Sequence, residues 1–140
     1  MNKIILASKS LVRKKILKEN GIKFEVEPAN IDEGLIKKSL LKEKASPEIV
    51  SKNLAELKAN KISNKYNEEL VLGADSIIDL NGEIISKPSS RNEALEILKK
   101  LNGKKHYLIS SVCISKNGSM IWHHTDKAKL TMKNMTIDQL

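Results

Sequence analysis

The carboxylate most suited to chemistry lies inside an apolar run. Asp75 has apolar neighbours on both sides in the segment Val-Leu-Gly-Ala-Asp-Ser-Ile-Ile at positions 71–78. Burying its charge is costly unless a metal ion, a cation or a hydrogen-bond donor offsets the cost. Asp75 is therefore a candidate catalytic or metal-binding residue, and a structural carboxylate bound to a lysine is an equally good interpretation. Gly73 permits close approach of a ligand or of another backbone segment, or marks a bulge.

Hydroxyl and basic side chains gather where a predicted strand gives way to a predicted helix. The run Ser-Lys-Ser at positions 8–10 is followed by Arg13, Lys14 and Lys15. The first turn of a helix exposes unpaired N–H groups and a partial positive charge, so this junction could bind phosphate. The alternative is that one serine caps the helix and the basic residues face solvent.

Two lysines and an acidic pair are further candidates. Lys58 falls at the edge of a helical apolar stripe, and Lys87 precedes Pro88, which keeps its backbone extended. A lysine of either kind, taken alone, is more often an exposed surface residue than a ligand contact. Asp32 and Glu33 could bind a magnesium ion or cap a short helix.

Composition and missing motifs exclude several classes of protein. The 25 basic residues exceed the 17 acidic ones by 8, and only Arg13 and Arg91 are arginines. This favours polyanions in general and argues against base-specific recognition of nucleic acid. The single cysteine, Cys113, excludes an internal disulfide and reads as a small core residue. His123 and His124 would point to opposite faces of a strand, so they cannot share a metal ion. The phosphate-binding glycine motifs G-x-x-x-x-G-K-[ST] and G-x-G-x-x-G do not occur.

These residues need elements to position them, and the hydrophobic pattern predicts an α/β fold with a partly parallel sheet. One helix has Val50, Leu54, Leu57 and Ile62 as its apolar stripe. We predict strands at 4–7, 23–27, 70–80, 83–86, 107–115 and 119–130, and helices from Ser10 to about 20, at 35–41, from Ser46 to about 65, and from Ser90 to 101. Asn-Gly pairs at 81–82 and 117–118 predict hairpin turns.

Several of these segments, in this order, resemble the Maf family. The matching blocks are Ile5–Ser10 with Arg13, Ile31–Glu33, Leu54–Ala59 with Lys58, Gly73–Ser76, Lys87-Pro88, and Leu101–Gly103 with His106. The resemblance covers the chain from Lys3 to Leu130. It implies an α/β fold akin to the inosine triphosphate pyrophosphatases: a mixed, twisted sheet flanked by helices, with a central cleft.

The resemblance also implies an activity. A nucleoside triphosphate would be hydrolysed to the monophosphate and pyrophosphate with a divalent metal, Mg²⁺ or Mn²⁺. The implied roles are phosphate binding by Ser8 and Arg13, metal binding by Glu33 and Asp75, water activation by Asp75, and charge neutralisation by Lys58 and Lys87. The alternative is a catalytically impaired nucleotide-binding or regulatory Maf-like module.

The chain departs from the family pattern near its first motif and at its end. Leu11 and Val12 replace a proline and the following residue, which leaves Arg13 alone and favours a 7-methyl-GTP-type preference over dTTP or UTP. Ser76 and Ser110 stand where threonines are usual. Family members continue for some fifty residues more, so we expect residues 1–140 to form one Maf-like domain, truncated at its C-terminus.

The remaining expectations concern partners and location. We expect a nucleoside triphosphate as the substrate, no nucleic acid or membrane partner, and a possible homodimer. The sequence has no apolar run of membrane-spanning length and no pattern of a signal peptide, which predicts a cytoplasmic protein.

Overall fold

Helices and strands alternate along most of the chain. A computed structural model describes residues 4–8, 10–66, 68–85 and 90–134, without the side chains of Leu11 and Val12. In chain order its elements are β1 (Ile4–Leu6), α1 (Leu11–Glu19), β2 (Phe24–Val26), α2 (Glu33–Lys42), α3 (Pro47–Ser63), β3 (Leu70–Leu80), β4 (Glu83–Ile85), α4 (Arg91–Leu101), β5 (Lys105–Lys116) and β6 (Ser119–Thr131). These bounds confirm each predicted element to within a few residues. The sequence also has a helix-cap pattern at 136–139, with threonine first and glutamine three residues later, and it lies outside the described residues.

The strands form one mixed sheet in the order β2-β1-β3-β5-β6, with β4 also paired to β3. Strand β1 is parallel to both β2 and β3. The pairs β3–β4, β3–β5 and β5–β6 are antiparallel. The prediction of a partly parallel α/β sheet is therefore confirmed.

The sheet has a gap on one side of β3, which we call the sheet gap. Strand β1 ends with Leu6 opposite Leu72, and the Ala7 N–H donates to the Leu72 carbonyl. Strand β4 begins to pair with β3 only at Ile78. Among the described residues no strand pairs with 73–77 on this side, while β5 pairs with them continuously on the other. Within the described residues, the middle of β3 thus has an open edge on this side.

Helix α3 covers one face of the sheet. Ser46 caps it by accepting the Ile49 N–H, and Pro47 occupies its first turn, where a missing N–H costs nothing. Its buried stripe comprises Val50, Ser51, Leu54, Ala55, Ala59, Ile62 and Ser63. The placement of Leu57 in this stripe was wrong, because Leu57 is 42% exposed. At about 100° per residue, Leu57 lies about 60° from Leu54 on the side away from Ala55, Ala59 and Ile62, and so falls outside the buried face.

Gly73 allows α3 to approach β3 closely. A Cβ at this position would lie 2.3 Å from the Ala55 carbonyl oxygen and 2.8 Å from the Ala59 nitrogen. Of the two interpretations of Gly73, close backbone approach is the one observed. Cys113 is buried in the same cluster as Ala55 and Ala59, as predicted, and burial raises the pKa of its thiol to about 11.

Both Asn-Gly pairs form the predicted hairpin turns. Asn81 and Gly82 have φ of 51° and 90°, and Asn117 and Gly118 have φ of 53° and 81°. Two successive positive φ angles match the twist of the flanking strands. None of the helices in the described residues is long and apolar enough to cross a membrane.

A tyrosine–carboxylate contact fastens β2 to the end of α3, and it predicts a pH-dependent stability. The Tyr66 hydroxyl donates to Glu27 Oε2 at 2.5 Å, and Lys65 contacts Oε1 at 3.3 Å. The hydrogen bond from Tyr66 and the nearby Lys65 hold the pKa of Glu27 below its usual value. A lowered carboxyl pKa stabilises the fold above the unfolded-state pKa of about 4.3, and this contribution is lost as pH falls through the folded-state pKa.

We therefore expect Tyr66→Phe to lower the Tm slightly at pH 7 and to have less effect as the solution is acidified below about pH 4. Thermal melts across this pH range measure the difference. Tyr107→Phe is the control, since Tyr107 packs under Lys127 through its ring instead of contacting a carboxylate. A Tyr66→Phe effect that stays constant down to low pH would contradict the assignment.

Candidate active site

A cleft of about 1100 Å³ opens at the sheet gap. Because side chains alternate along a strand, neighbouring residues of β3 reach it from opposite faces of the sheet. Asp75 is on the α3 face, with Gly73 and Ile77. Ala74 and Ser76 are on the α1 face, where they lie opposite Val112 and Ser110 of β5. The gap therefore joins two sets of side chains that a complete sheet would separate.

On the α3 face, Lys58 bridges two carboxylates. Its Nζ lies 3.3 Å from Asp75 Oδ1 and 2.5 Å from Glu33 Oε1. It also donates to the Ala74 carbonyl at 3.3 Å, on the open edge of β3. The Lys58 side chain is 12% exposed, so this ammonium lies within the cleft wall. The prediction that Lys58 sits at the edge of the buried stripe is confirmed.

Of the two uses that the sequence left open for the acidic pair, the helix cap is the one observed, and Asp32 provides it. Asp32 caps α2, since its Oδ1 accepts the Leu35 N–H at 3.0 Å. Glu33 is the first residue of α2 and points its carboxylate to Lys58. Asp32 therefore caps the helix, and Glu33 faces the cleft.

The two carboxylates that share Lys58 have opposite pKa shifts. Burial raises the pKa of Asp75, and the positive charges of Lys58 and Lys37 offset only part of the effect. Burial acts on Glu33 too, but the hydrogen bond and charge of Lys58, with Lys37 and Arg13, outweigh it, so the pKa of Glu33 is lowered. The difference follows from geometry: the Asp75 side chain is 6% exposed and the Glu33 side chain 41%, and Lys58 is closer to Glu33.

Asp75 has one oxygen without a partner in the part of the chain that the structure describes. Its Oδ2 is buried and makes no hydrogen bond within the described residues. The backbone of the same residue is held firmly, because the buried Ser51 hydroxyl donates to the Asp75 carbonyl at 3.2 Å. A buried carboxylate oxygen that lacks a donor is costly. The arrangement favours a water molecule or a cation at this atom.

On the α1 face, Arg13 joins a chain of hydroxyls. Ser10 caps α1 by accepting the Arg13 N–H. The guanidinium donates to Ser8 Oγ at 3.0 Å and to Ser76 Oγ at 3.4 Å, and Ser76 lies 3.1 Å from Ser110 Oγ. Burial lowers the pKa of Arg13, while the charges of Asp75 and Glu33 act against this shift. A fixed cation therefore faces the carboxylates of Asp75 and Glu33 from across the gap.

The two faces of the sheet line the cleft with different side chains. On the α1 face, Ile78 pairs with Ile85 and Leu108 and packs with Ile97. On the α3 face the lining includes the charged Glu33, Lys37 and Lys58, together with Ile31 and Ile77. Such a cleft suits a ligand with one apolar and one anionic part.

The structure brings together five of the six predicted site residues: Ser8, Arg13, Glu33, Lys58 and Asp75. Lys87, the sixth, lies outside the described residues. Sequence reasoning did not assign Ser76, Ser110 or Lys37 to the site. Ser76 and Ser110 were noted only as departures from the family pattern. The sequence did not show that β3 pairs with β5 so that these two serines lie opposite each other. Lys37, four residues after Glu33, could have been found from helical spacing.

Two oxygen ligands are available for a hard cation. Glu33 and Asp75 approach the same ammonium, and Mg²⁺ is commonly bound by one or two carboxylates, substrate phosphates and water. The described residues contain no group of three or more His, Cys, Asp or Glu side chains placed to bind a metal alone. The donor set and the orphan Oδ2 fit a cation that is shared with a substrate.

Solved structures define the class of fold. A Ham1 protein from Coxiella burnetii superposes with a TM-score of 0.57 at 16% identity, covering 92% of this chain and 73% of that one. A Ham1 protein from Staphylococcus aureus gives a TM-score of 0.51 at 17% identity, covering 93% of this chain and 70% of that one. The chain thus shares the α/β fold of these proteins.

Sequence comparisons identify the family within that class. The model of the family described as Maf-like protein matches residues 3–140, and the chain belongs to the Maf family. A protein from Pelagibacter ubique named nucleoside triphosphate pyrophosphatase is 71% identical over 140 residues, which are all of this chain and 72% of that protein. One of the same name from a Ruegeria species is 42% identical over 93% of this chain and 65% of its own length. A protein from Brucella abortus named 7-methyl-GTP pyrophosphatase is 38% identical over 95% of this chain and 67% of its own length. The chain thus spans 65% to 72% of the length of these relatives.

Proposed function

We propose that the chain is a nucleoside triphosphate pyrophosphatase that hydrolyses the bond between the α and β phosphates, releasing a nucleoside monophosphate and pyrophosphate. The names of its relatives support this activity. The observation that carries it is the buried Asp75 Oδ2, which has no donor among the described residues and belongs to a carboxylate whose Oδ1 contacts the cationic Lys58 in a cleft. Hydrolysis at phosphorus depends mainly on an activated water, on positioning of the reactants and on neutralisation of the phosphate charges. It needs few other groups from the protein.

In this proposal Asp75 acts on the attacking water. Its unpartnered oxygen accepts a proton from the water as the water oxygen bonds to the α phosphorus, and the bond from phosphorus to the α–β bridging oxygen breaks. Pyrophosphate leaves with the electron pair of that bond. The raised pKa of Asp75 favours this role, because a stronger base takes a proton more readily.

Cations on both sides of the sheet gap neutralise the substrate. Lys58 and Arg13 approach from opposite faces, and the N-terminus of α1 adds its exposed N–H groups and partial charge. Lys87 is proposed as a third cation on the basis of its motif alone. Glu33 competes with the substrate for Lys58, so a bound phosphate would change the partners of this lysine.

We propose further that Glu33 and Asp75 hold Mg²⁺ or Mn²⁺ together with the substrate. When bound, the metal would withdraw charge from the phosphate oxygens and help to ionise water. The lone thiol and the nucleotide substrate fit a cytoplasmic location.

Release of pyrophosphate from purified protein tests the function. The panel comprises the common nucleoside triphosphates and 7-methyl-GTP, each with Mg²⁺, with Mn²⁺ and with a chelator. We expect metal-dependent formation of equal amounts of monophosphate and pyrophosphate from at least one nucleotide. Folded protein that binds a nucleotide in calorimetry without hydrolysing any would contradict the proposal and favour a binding module.

A further inference from the structure

A second groove continues the basic end of the cleft. We call it the lysine groove; its volume is about 510 Å³ and it lies between α2 and β4. It shares Gly34 and Lys37 with the cleft. The groove is lined by Gly34, Lys37, Lys38, Leu41, Lys42 and Ile84.

The charge of the groove suits an anion. Lys38 and Lys42 are four residues apart, so both lie on one side of α2, and Lys37 stands beside them at the border with the cleft. In the described part of the chain, no salt bridge ties Lys38 or Lys42 to a carboxylate. The positive charge of Lys37 already reaches into the cleft, where it lowers the pKa of Glu33 together with Lys58.

The different lining of the two faces suggests a direction for a bound nucleotide. The isoleucine and leucine side chains of the α1 face suit the nucleoside, and the phosphate chain would then pass Arg13 and Lys58 toward α2. Lys37, which lines both the cleft and the lysine groove, would meet the far end of that chain. A triphosphate would end near this border, and a longer chain would enter the groove.

We propose that the lysine groove binds the part of a phosphate chain that extends beyond the third phosphate, so that the site also accepts nucleoside 5′-tetraphosphates and longer homologues. The inference rests on the proposed function. Water attacks the α phosphorus as before, the bond to the α–β bridging oxygen breaks, and the products from a tetraphosphate are the monophosphate and inorganic triphosphate.

The test compares one nucleoside as its triphosphate and its tetraphosphate. We expect the KM for the tetraphosphate to be about 5-fold lower, a gain typical of one or two additional exposed charge pairs. In the double variant Lys38→Gln/Lys42→Gln this ratio should approach one. The double variant Lys23→Gln/Lys104→Gln loses the same charge at two exposed positions that line neither the cleft nor the groove, and it should keep the ratio.

Two outcomes would overturn the inference: equal KM values in the unaltered protein, or an advantage that survives in the Lys38/Lys42 variant. Calorimetric affinities for both nucleotides, measured without metal, test the same ratio independently of turnover. Protein that binds the tetraphosphate more tightly through these lysines but hydrolyses neither nucleotide would support the groove and contradict the proposed pyrophosphatase activity.

Discussion

Asp75→Asn is expected to lower pyrophosphate release by at least about 100-fold, because an amide cannot accept the proton of the attacking water. The substitution keeps the size of the side chain and removes a charge whose burial is unfavourable. Lys58 keeps Glu33 and the Ala74 carbonyl as partners. The variant should therefore fold, with a Tm within about 5 °C of the unaltered protein, and should still bind nucleotide.

Steady-state kinetics and a thermal melt on the same preparation measure both expectations. Asp126→Asn is the matched control, because Asp126 is an exposed carboxylate on β6 that pairs with His124 and does not line the cleft. We expect it to retain full activity. An Asp75→Asn protein with more than about a tenth of the original kcat would mean that another group activates the water.

Gly73→Ala is expected to cause the largest loss of stability. The added methyl group would overlap the Ala55 carbonyl oxygen and the Ala59 nitrogen, both of them backbone atoms that can move only if α3 moves. Overpacking of a core costs about 1–3 kcal/mol and occasionally more, and a clash with backbone belongs at the upper end. We expect a fall in Tm of about 10 °C or failure to accumulate as soluble protein.

Gly34→Ala provides the control for this substitution. A Cβ at Gly34 would meet only Asp32 Oδ1, at 3.6 Å, and alanine is a better helix former than glycine by about 1 kcal/mol. Gly34→Ala should thus keep or raise the Tm measured by calorimetry. If Gly73→Ala melted at the temperature of the unaltered protein, the close packing of α3 on β3 would be wrong.

The elements of this fold could be predicted because local signals mark their ends. Ser10, Ser46 and Ser90 each cap a helix as expected, and the two Asn-Gly pairs fix the hairpins. The exposure of Leu57 was not predictable from its apolar character, since it depends on which side of α3 meets the sheet. For strands far apart in sequence, such as β1 and β3, the sequence predicted that part of the sheet is parallel but not which strands pair.

The candidate site was predictable in its residues and not in its geometry. Asp75 could be identified because a carboxylate in an apolar run needs a partner. That its partner is Lys58, 17 residues earlier, depends on the docking of α3 at Gly73, which no local pattern encodes. The sheet gap was equally hidden, because it arises from where β1 ends and β4 begins relative to a third strand.

The side chains of β3 alternate between the two faces of the sheet at the sheet gap. The arrangement of the site therefore depends more on the number of residues in the strand than on their identity. Asp75 and Ser76 are adjacent in sequence, yet one meets Lys58 on the α3 face and the other meets Arg13 on the α1 face. Inserting or deleting one residue before them would exchange the two sides and present the hydroxyl to the lysine and the carboxylate to the arginine. A conservative substitution at either position leaves this assignment intact, whereas a frame-preserving insertion of a single codon upstream in β3 inverts it.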